Sequence, residues 1–314
     1  MSYPLRPRIG HTPKAGAPAH EVDPSPWFAA AGVVDDGSAE AWARAFILAP
    51  TPASKLAPPP RPQLTLGAGE RSAADAGPVP AGYTSTAGPP PPSAPGRGLG
   101  YKLTARAEKM PRRGALVRAS ERGKLLHTFL HHEVQAAELM AYALLAFPDT
   151  PLRFRRGLLG VLGDEVRHAQ GYAARLARLG VRYGDHPVRD WFWQRVPSVA
   201  GPRGFVALMG MGFEAANLEH TRQFARELEQ AGDPESAAFV AAVGVEEVAH
   251  VRFATRWFQR FSGAAPDAAP DFDAWRSALP APLTPTVLRG KPLDRERRGR
   301  AGQGPAFLDA LEAW

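Results

Sequence analysis

The 314-residue chain contains no cysteine. That excludes disulfides, thiolate zinc sites, iron–sulfur clusters and cysteine nucleophiles together, and it leaves oxygen and nitrogen as the only donors for a metal. No apolar run approaches the roughly 18 residues needed to span a membrane. Met1 to His20 has no apolar core of the kind a secretory signal needs. The expectation is a soluble, cytoplasmic protein without a membrane partner. Acidic residues are outnumbered: 38 Lys and Arg against 31 Asp and Glu give a net charge of +7 and a pI near 10.0. The basic residues are spread along the chain, with the densest run at Arg295–Arg300. Such a charge permits an RNA partner but does not demand one.

Proline, by contrast, is abundant and uneven. Nineteen of the 33 prolines fall in the first hundred residues, including Pro89 to Pro92. Stretches 50–62 and 76–97 therefore cannot be regular helix or central strand. They read as an extended arm over 1–100, interrupted by Pro26-Trp27-Phe28 and by a short helix near 38–48. The apolar side chains Trp42, Phe46 and Ile47 of that helix need a surface to pack on.

From about 118 to 263 the sequence becomes rich in Ala, Leu, Val, Glu and Arg with a 3.6-residue apolar period, the pattern of long amphipathic helices. Boundary signals predict four. The first runs from Ser120 to Phe147. The second has Thr150 as N-cap and stops at Gly180. The third runs from Gly201-Pro202 to Gly232. The fourth has Asp233 as N-cap, Pro234 in its first turn and an end at Gly263. Short turns join the first pair and the second pair, and a longer connection, 181–200, carries Trp191-Phe192-Trp193. The predicted architecture is all-α: two helical hairpins joined by a crossover into a ferritin-like four-helix bundle over 101–263. In the extension 264–314, short helices are expected at Asp271–Leu279 and Ala306–Trp314, and Trp275, Phe307 and Trp314 are expected to clip it to the body.

The second helix contains Glu165-Val166-Arg167-His168 and the fourth Glu247-Val248-Ala249-His250. In each E-x-x-H, positions i and i+3 share a helical face, so a carboxylate and an imidazole can meet one metal ion. A single copy arises easily by chance, and Glu and His on long helices are usually surface residues. Two copies at matching depth in two hairpins are far more specific. Each partner helix should add one Glu. Glu133 lies 32 residues before Glu165 and shares a stripe with Leu126, Phe129, Leu130, Ala136 and Met140. Its rival Glu138 is flanked by Val134, Ala141 and Leu145 and stays open as an alternative. Glu214 lies 33 residues before Glu247 and shares its face with Ala207, Met211, Leu218 and Ala225. Its rival Glu219 shares a face with Arg222, Gln223 and Arg226, which reads as solvent. Carboxylates on apolar faces cost several kcal/mol unless paired or metal-bound. Glu133, Glu165, His168, Glu214, Glu247 and His250 thus form a candidate set for two metal ions. Asp164 and Glu246, one residue before each ligand Glu, are placed to accept the second ring N–H of the opposite histidine. Asn217 is a candidate for the same cavity. Tyr142 and Tyr172 are candidates for electron or proton transfer, although core tyrosines usually only pack. His131 and His132 read as off the site, and His127, His186 and His220 as ordinary.

The segments His131-His132-Glu133-Val134-Gln135-Ala136-Ala137-Glu138-Leu139, Asp164 to His168, Phe213-Glu214-Ala215 and Glu247 to Val251 resemble the ferritin-like superfamily. Within it they resemble the bacterial family called domain of unknown function 455. The likeness extends to Ala45-Phe46-Ile47-Leu48, Lys55-Leu56 and Pro111-Arg112-Arg113. Glu246 stands where that family more often has Asp, and 60–100 is longer and richer in proline than is typical. The resemblance implies a carboxylate-bridged centre of two metal ions, with iron expected and manganese or a mixed Fe/Mn pair as alternatives. It leads to the expectation of an oxidoreductase that activates O2 or peroxide on an unknown substrate, by hydroxylation or oxidation, with an external reductase as electron donor. A hydroxylated RNA base is one variant, and a homodimer is compatible with the chain. The competing expectation is a non-catalytic, iron-handling protein, and a vestigial site is a third.

Overall fold

A computed structural model describes residues 24–64, 90–106, 111–112 and 114–314; the predicted extended chain at 1–23 and 65–89 lies outside the described residues. The described chain is all-helical, with no β-strand among the described residues beyond an isolated parallel bridge between Leu103 and Val188. Three short helices open it: α1 (Ser25–Ala30), α2 (Ala39–Leu48) and α3 (Pro52–Leu56). Two long ones follow, α4 (Ala119–Ala146) and α5 (Leu152–Arg178). A continuous helical rod comes next, built of α6 (Gly201–Phe205), a π-helical segment Val206–Glu214 and α7 (Ala215–Gln230). The last long helix is α8 (Pro234–Phe261). The tail carries α9 (Phe272–Ser277), α10 (Arg295–Arg300) and α11 (Pro305–Ala313).

The helix ends follow local chemistry. Asp233 caps α8 by accepting from the Ser236 N–H, and Ser38 caps α2 by accepting from Ala41 N–H. Gly180, Gly232 and Gly263 all have positive φ just past a helix end, where a side chain would be strained. The expectation for Thr150 is corrected: Pro151 occupies the N-cap of α5, and the Thr150 hydroxyl donates 2.6 Å to the Phe147 carbonyl to close the preceding turn. The third rod also departs from a regular helix, because i to i+5 hydrogen bonds run through 206–214. Gly210 falls within that segment, and a Cβ there would collide with Ala254 of α8. Its absence lets the two backbones approach.

The packing places α4 against α5 and α7 against α8, while α5 and α8 join the two pairs. The helix α2 lies on α4 with Trp42, Phe46 and Ile47 buried. Two apolar layers fill the interior. One gathers Phe46, Leu144, Phe154, Leu158, Phe205 and Phe258; the other gathers Leu126, Phe129, Leu130, Tyr172, Leu228 and Val240. Along α4, α5 and α8 the first layer ends and the second begins near residues 133–136, 162–169 and 243–254, and the polar site sits at that junction.

The tail is tied in by Trp275, which is fully buried and donates its indole N–H to the Ala207 carbonyl at 2.9 Å, and by Phe307. Trp314 packs on Phe272 but stays half exposed. The tail also overturns the reading of Glu219 as a solvent residue. Glu219 is buried, accepts two 2.8 Å bonds from the fork of Arg298, and also accepts from the N–H groups of Gly290 and Asp294. Its face is covered by chain some 70 residues later. The basic run 295–300 likewise contains a structural member, because Arg298 is buried in this pair.

Candidate metal centre

The six sequence-predicted ligands converge. Their donor atoms form two groups, each with all ligand atoms within 4.8 Å of one another: Glu133, Glu165, His168 and Glu247 in one, Glu165, Glu214, Glu247 and His250 in the other. Each group holds one histidine and one Glu of its own. Glu165 and Glu247 belong to both, so each could reach either of two cations held there.

All six side chains are buried, Glu165, His168 and Glu247 completely so. Both oxygens of Glu165, one oxygen of Glu214 and Nδ1 of His168 have no hydrogen-bond partner. His250 Nδ1 lies 2.9 Å from Glu165 Oε1, yet that contact lacks hydrogen-bond alignment. Buried, unpaired carboxylate oxygens aimed at one point carry a large desolvation penalty, and a cation placed among them removes it. The donor set is all carboxylate and imidazole, and it fits two hard or borderline divalent ions.

The histidines are oriented from behind, across the hairpins. His168 of α5 donates Nε2–H to Glu246 of α8 at 3.1 Å, and His250 of α8 donates Nε2–H to Asp164 of α5 at 3.3 Å. A carboxylate can only accept, so Nε2 of each ring is the donor to its outer carboxylate, and Nδ1 is the nitrogen turned toward the centre, where that of His250 lies 2.9 Å from Glu247 Oε2. His168 Nδ1 then lies 3.4 Å from Glu133 and 3.5 Å from Glu165. Arg167 closes this outer layer, donating to Asp164 at 2.8 Å and to Glu246 at 2.6 Å. Replacing Asp164 with Asn and Glu246 with Gln, singly, is expected to weaken metal binding by about 10–100-fold while leaving all six ligands in place. Competitive chelator titration of the two variants reads that loss, and unchanged affinity in both would remove this role.

Without a metal the centre compensates its own charge. Burial raises the Glu133 and Glu214 carboxyls well above the usual carboxylate range, and the neighbouring Glu165 pushes both further. Burial works against the imidazolium of His168, but the carboxylates of Glu133 and Glu165 beside Nδ1, and Glu246, which accepts from Nε2, outweigh it and raise its pKa. For His250, the charges of Glu247 and Glu165 likewise outweigh burial. Hydrogen bonding to His168 holds Glu246 down to about 2. Asp164 also falls to about 2, because its bonds to His250 and Arg167 overcome burial.

Glu138 does not join the centre. It sits in a separate buried ion cluster with Lys55 at 2.7 Å and Arg97 at 2.6 Å, and it accepts from the Trp193 indole at 2.8 Å. Asn217 does reach the centre, donating to Glu247 at 3.3 Å. Tyr172 is buried between Phe129 and Phe239, close enough to Glu133, Glu247 and Glu165 for their charges to act on its hydroxyl. Tyr142 packs edge-on against Trp193, away from the six ligands.

A cavity of about 350 Å³ opens beside the centre and reaches two of its ligands, Glu133 and Glu214. Phe129, Trp191, Phe192 and Phe213 give it aromatic walls, and Arg189, Thr128, His132, Asn217 and His220 give it polar points. His132 and His220 thus belong to the cavity, a correction to the expectation that both lie off the site. His131 also contributes to the wall, but its ring is engaged elsewhere, by Tyr183 at 2.7 Å and Asp190 at 3.3 Å. His127 accepts the Gly184 N–H at 2.9 Å and packs on His186, a loop-holding role. The signal for the cavity lay in the Trp191-Phe192-Trp193 run of the connection, which covers α4 beside Glu133.

No helix among the described residues is long and apolar enough to cross a membrane. No curated protein and no solved structure matches the chain. The profile of one family, protein of unknown function (DUF455), matches residues 60–309, which takes in all six candidate ligands, both orienting carboxylates and the whole cavity wall; the chain belongs to that family.

Proposed function

We propose that the protein is an oxidoreductase with two metal ions, iron or iron and manganese, in a ferritin-like four-helix bundle, and that it activates O2 or peroxide to oxidise a small organic substrate. The observation that carries this reading is the sharing of Glu165 and Glu247 by two ligand groups that each have their own Glu and His. The four long helical rods, paired as two hairpins with a long crossover, support the ferritin-like assignment. Two redox-active ions held there would supply electron transfer to O2 or peroxide.

The residues of the chain then have definite tasks. Glu133, Glu165, His168, Glu214, Glu247 and His250 hold the ions. Asp164 and Glu246 fix the two imidazoles, and Arg167 holds both of these carboxylates. The aromatic walls make the side of the centre that faces the cavity largely apolar, and Asn217 steadies Glu247 at the cavity rim. The cavity favours catalysis over iron storage, because a storage site needs no apolar compartment beside its ligands. An external electron donor completes the cycle, since the chain has no cysteine-based redox centre.

The test is oxygen uptake. Protein loaded anaerobically with ferrous iron and mixed with air-saturated buffer should consume O2 faster than the same iron free in buffer. It should do so again after each re-reduction. Uptake equal to free iron, or a single turnover that ends in a ferric mineral, would reject the catalytic reading in favour of iron handling.

A further inference from the structure

The cavity beside the centre carries a cation that no carboxylate pairs with among the described residues. Arg189 is the only permanent cation among the lining residues, and its Nε is buried without a hydrogen-bond partner. One Nη donates a long 3.3 Å bond to Gln194 Oε1, a neutral acceptor. Among the described residues no carboxylate pairs with it. A second guanidinium lies close by: Arg195 stacks 4.1 Å over the Trp191 ring, and its Nε is also buried without a partner. Burial and then the charge of Arg189 lower the Arg195 pKa, so the two cations feel each other. Two neighbouring guanidiniums, neither paired with a carboxylate among the described residues, attract an oxyanion, and a planar fork suits a carboxylate in particular.

The rest of the lining is uncharged or committed. The His132 ring packs 5.0 Å from Phe192, and His131 is held by Tyr183 at 2.7 Å and Asp190 at 3.3 Å. Glu133 and Glu214 face the metal positions. The walls are ring faces and small apolar groups: Phe192 stacks on Phe213 at 4.6 Å with 13° between planes, Trp191 leans on Phe213 at 5.0 Å, and Ala136, Ala216 and Val188 fill between. The volume of about 350 Å³ lies at the small end of the roughly 300–1,000 Å³ of small-molecule sites, enough for one or two rings.

We propose that this cavity binds an apolar organic acid, with its ring-sized body against the Phe192–Phe213 wall and its carboxylate held by Arg189. The inference deepens the oxidoreductase reading by naming the class of its substrate, and it rests on that reading only for the chemistry at Glu133 and Glu214. Binding itself does not require the metals.

Isothermal titration of the full chain, metal-loaded and metal-stripped, with 2-naphthoate and with the neutral 2-naphthylmethanol tests it. Naphthoate should bind about 10–100-fold more tightly than the alcohol, the range expected of a hydrogen bond to a charged partner. Arg189→Gln should bring naphthoate down to the level of the alcohol and leave the alcohol unchanged. Arg189→Lys, which keeps the charge but not the fork, should fall between and guards against a glutamine variant that fails to fold. Ala216→Phe, which fills the cavity, should weaken both ligands. Equal affinity for acid and alcohol, naphthoate binding indifferent to Arg189→Gln, or no saturable binding of naphthoate would each overturn the proposal. A preference for the acid that survives in metal-free protein, alongside absent oxygen uptake, would sink the oxidoreductase reading and leave this one standing.

Discussion

Changing Glu165 and Glu247 together to alanine should strip the protein of both metal ions without unfolding it. Each of these carboxylates belongs to both ligand groups, so the double change leaves each position with one Glu and one His. Loss should far exceed the 10–100-fold that follows loss of an outer partner, because two direct ligands are gone from each ion. The fold should survive, since the two apolar layers lie on either side of the centre and none of their members changes. The measurement is elemental analysis after reconstitution, alongside a thermal melt. Wild-type chain should retain about two ions and gain stability with added metal, by roughly 4 kcal/mol at a free concentration a thousand times Kd. The variant should retain almost none and show a melt indifferent to metal. A double variant that still carries two ions would end the bridging assignment; loss of helical signal in metal-free buffer would show that these residues support the fold instead.

How much of this was readable in advance differs by residue. The two E-x-x-H pairs needed only a helical period and a hairpin count, both local properties, and Glu133 and Glu214 followed from pairing the hairpins at equal spacing. Asp164 and Glu246 were legible because a residue next to a ligand on one helix must lean toward the neighbouring helix. What failed shares one cause. Glu219 reads as solvent from its helical neighbours, yet Arg298, 79 residues later, covers it. Glu138 stays open as a ligand because Val134, Ala141 and Leu145 flank it on its own helix, and the cations that claim it, Lys55 and Arg97, come from the proline-rich arm. His132 and His220 gain their place from a crossover without periodicity. The π-helical segment at 206–214 has no periodic signal in the sequence beyond Gly210 and Gly212, and of these Gly210 lies where a Cβ would meet Ala254 of α8.

Glu138→Gln should cost about 3–5 kcal/mol of stability while leaving the metal content intact, the opposite signature to the double variant above. Glu138 is wholly buried and is the only carboxylate that Lys55 touches among the described residues. Lys55 is itself buried, and its ammonium also donates to the carbonyls of Phe46 and Ile47 at 2.6 Å, so the cluster fastens the C-terminal end of α2 to α4. A neutral amide cannot balance Lys55 and Arg97, and Asp190 pairs with Arg97 and His131 but makes no ion pair with Lys55. The pH dependence carries a sign that checks the mechanism. Burial depresses the Lys55 pKa from 10.5 to about 8, with Glu138 resisting the fall and Arg97 adding to it. Between those two values the unfolded chain binds more protons than the folded one, so this group makes stability rise with pH from about 8 to 10.5. Removing the Glu138 charge takes away what resists the fall, and the window extends below pH 8. The deficit of Glu138→Gln should therefore be smaller at pH 9 than at pH 7, measured by urea unfolding at both. Adding Lys55→Met should recover part of the loss at pH 7 by removing the stranded ammonium. A deficit that is flat with pH, or a Lys55→Met change that deepens it, would show that Glu138 holds the arm by shape and hydrogen bonds to Trp193 rather than by charge.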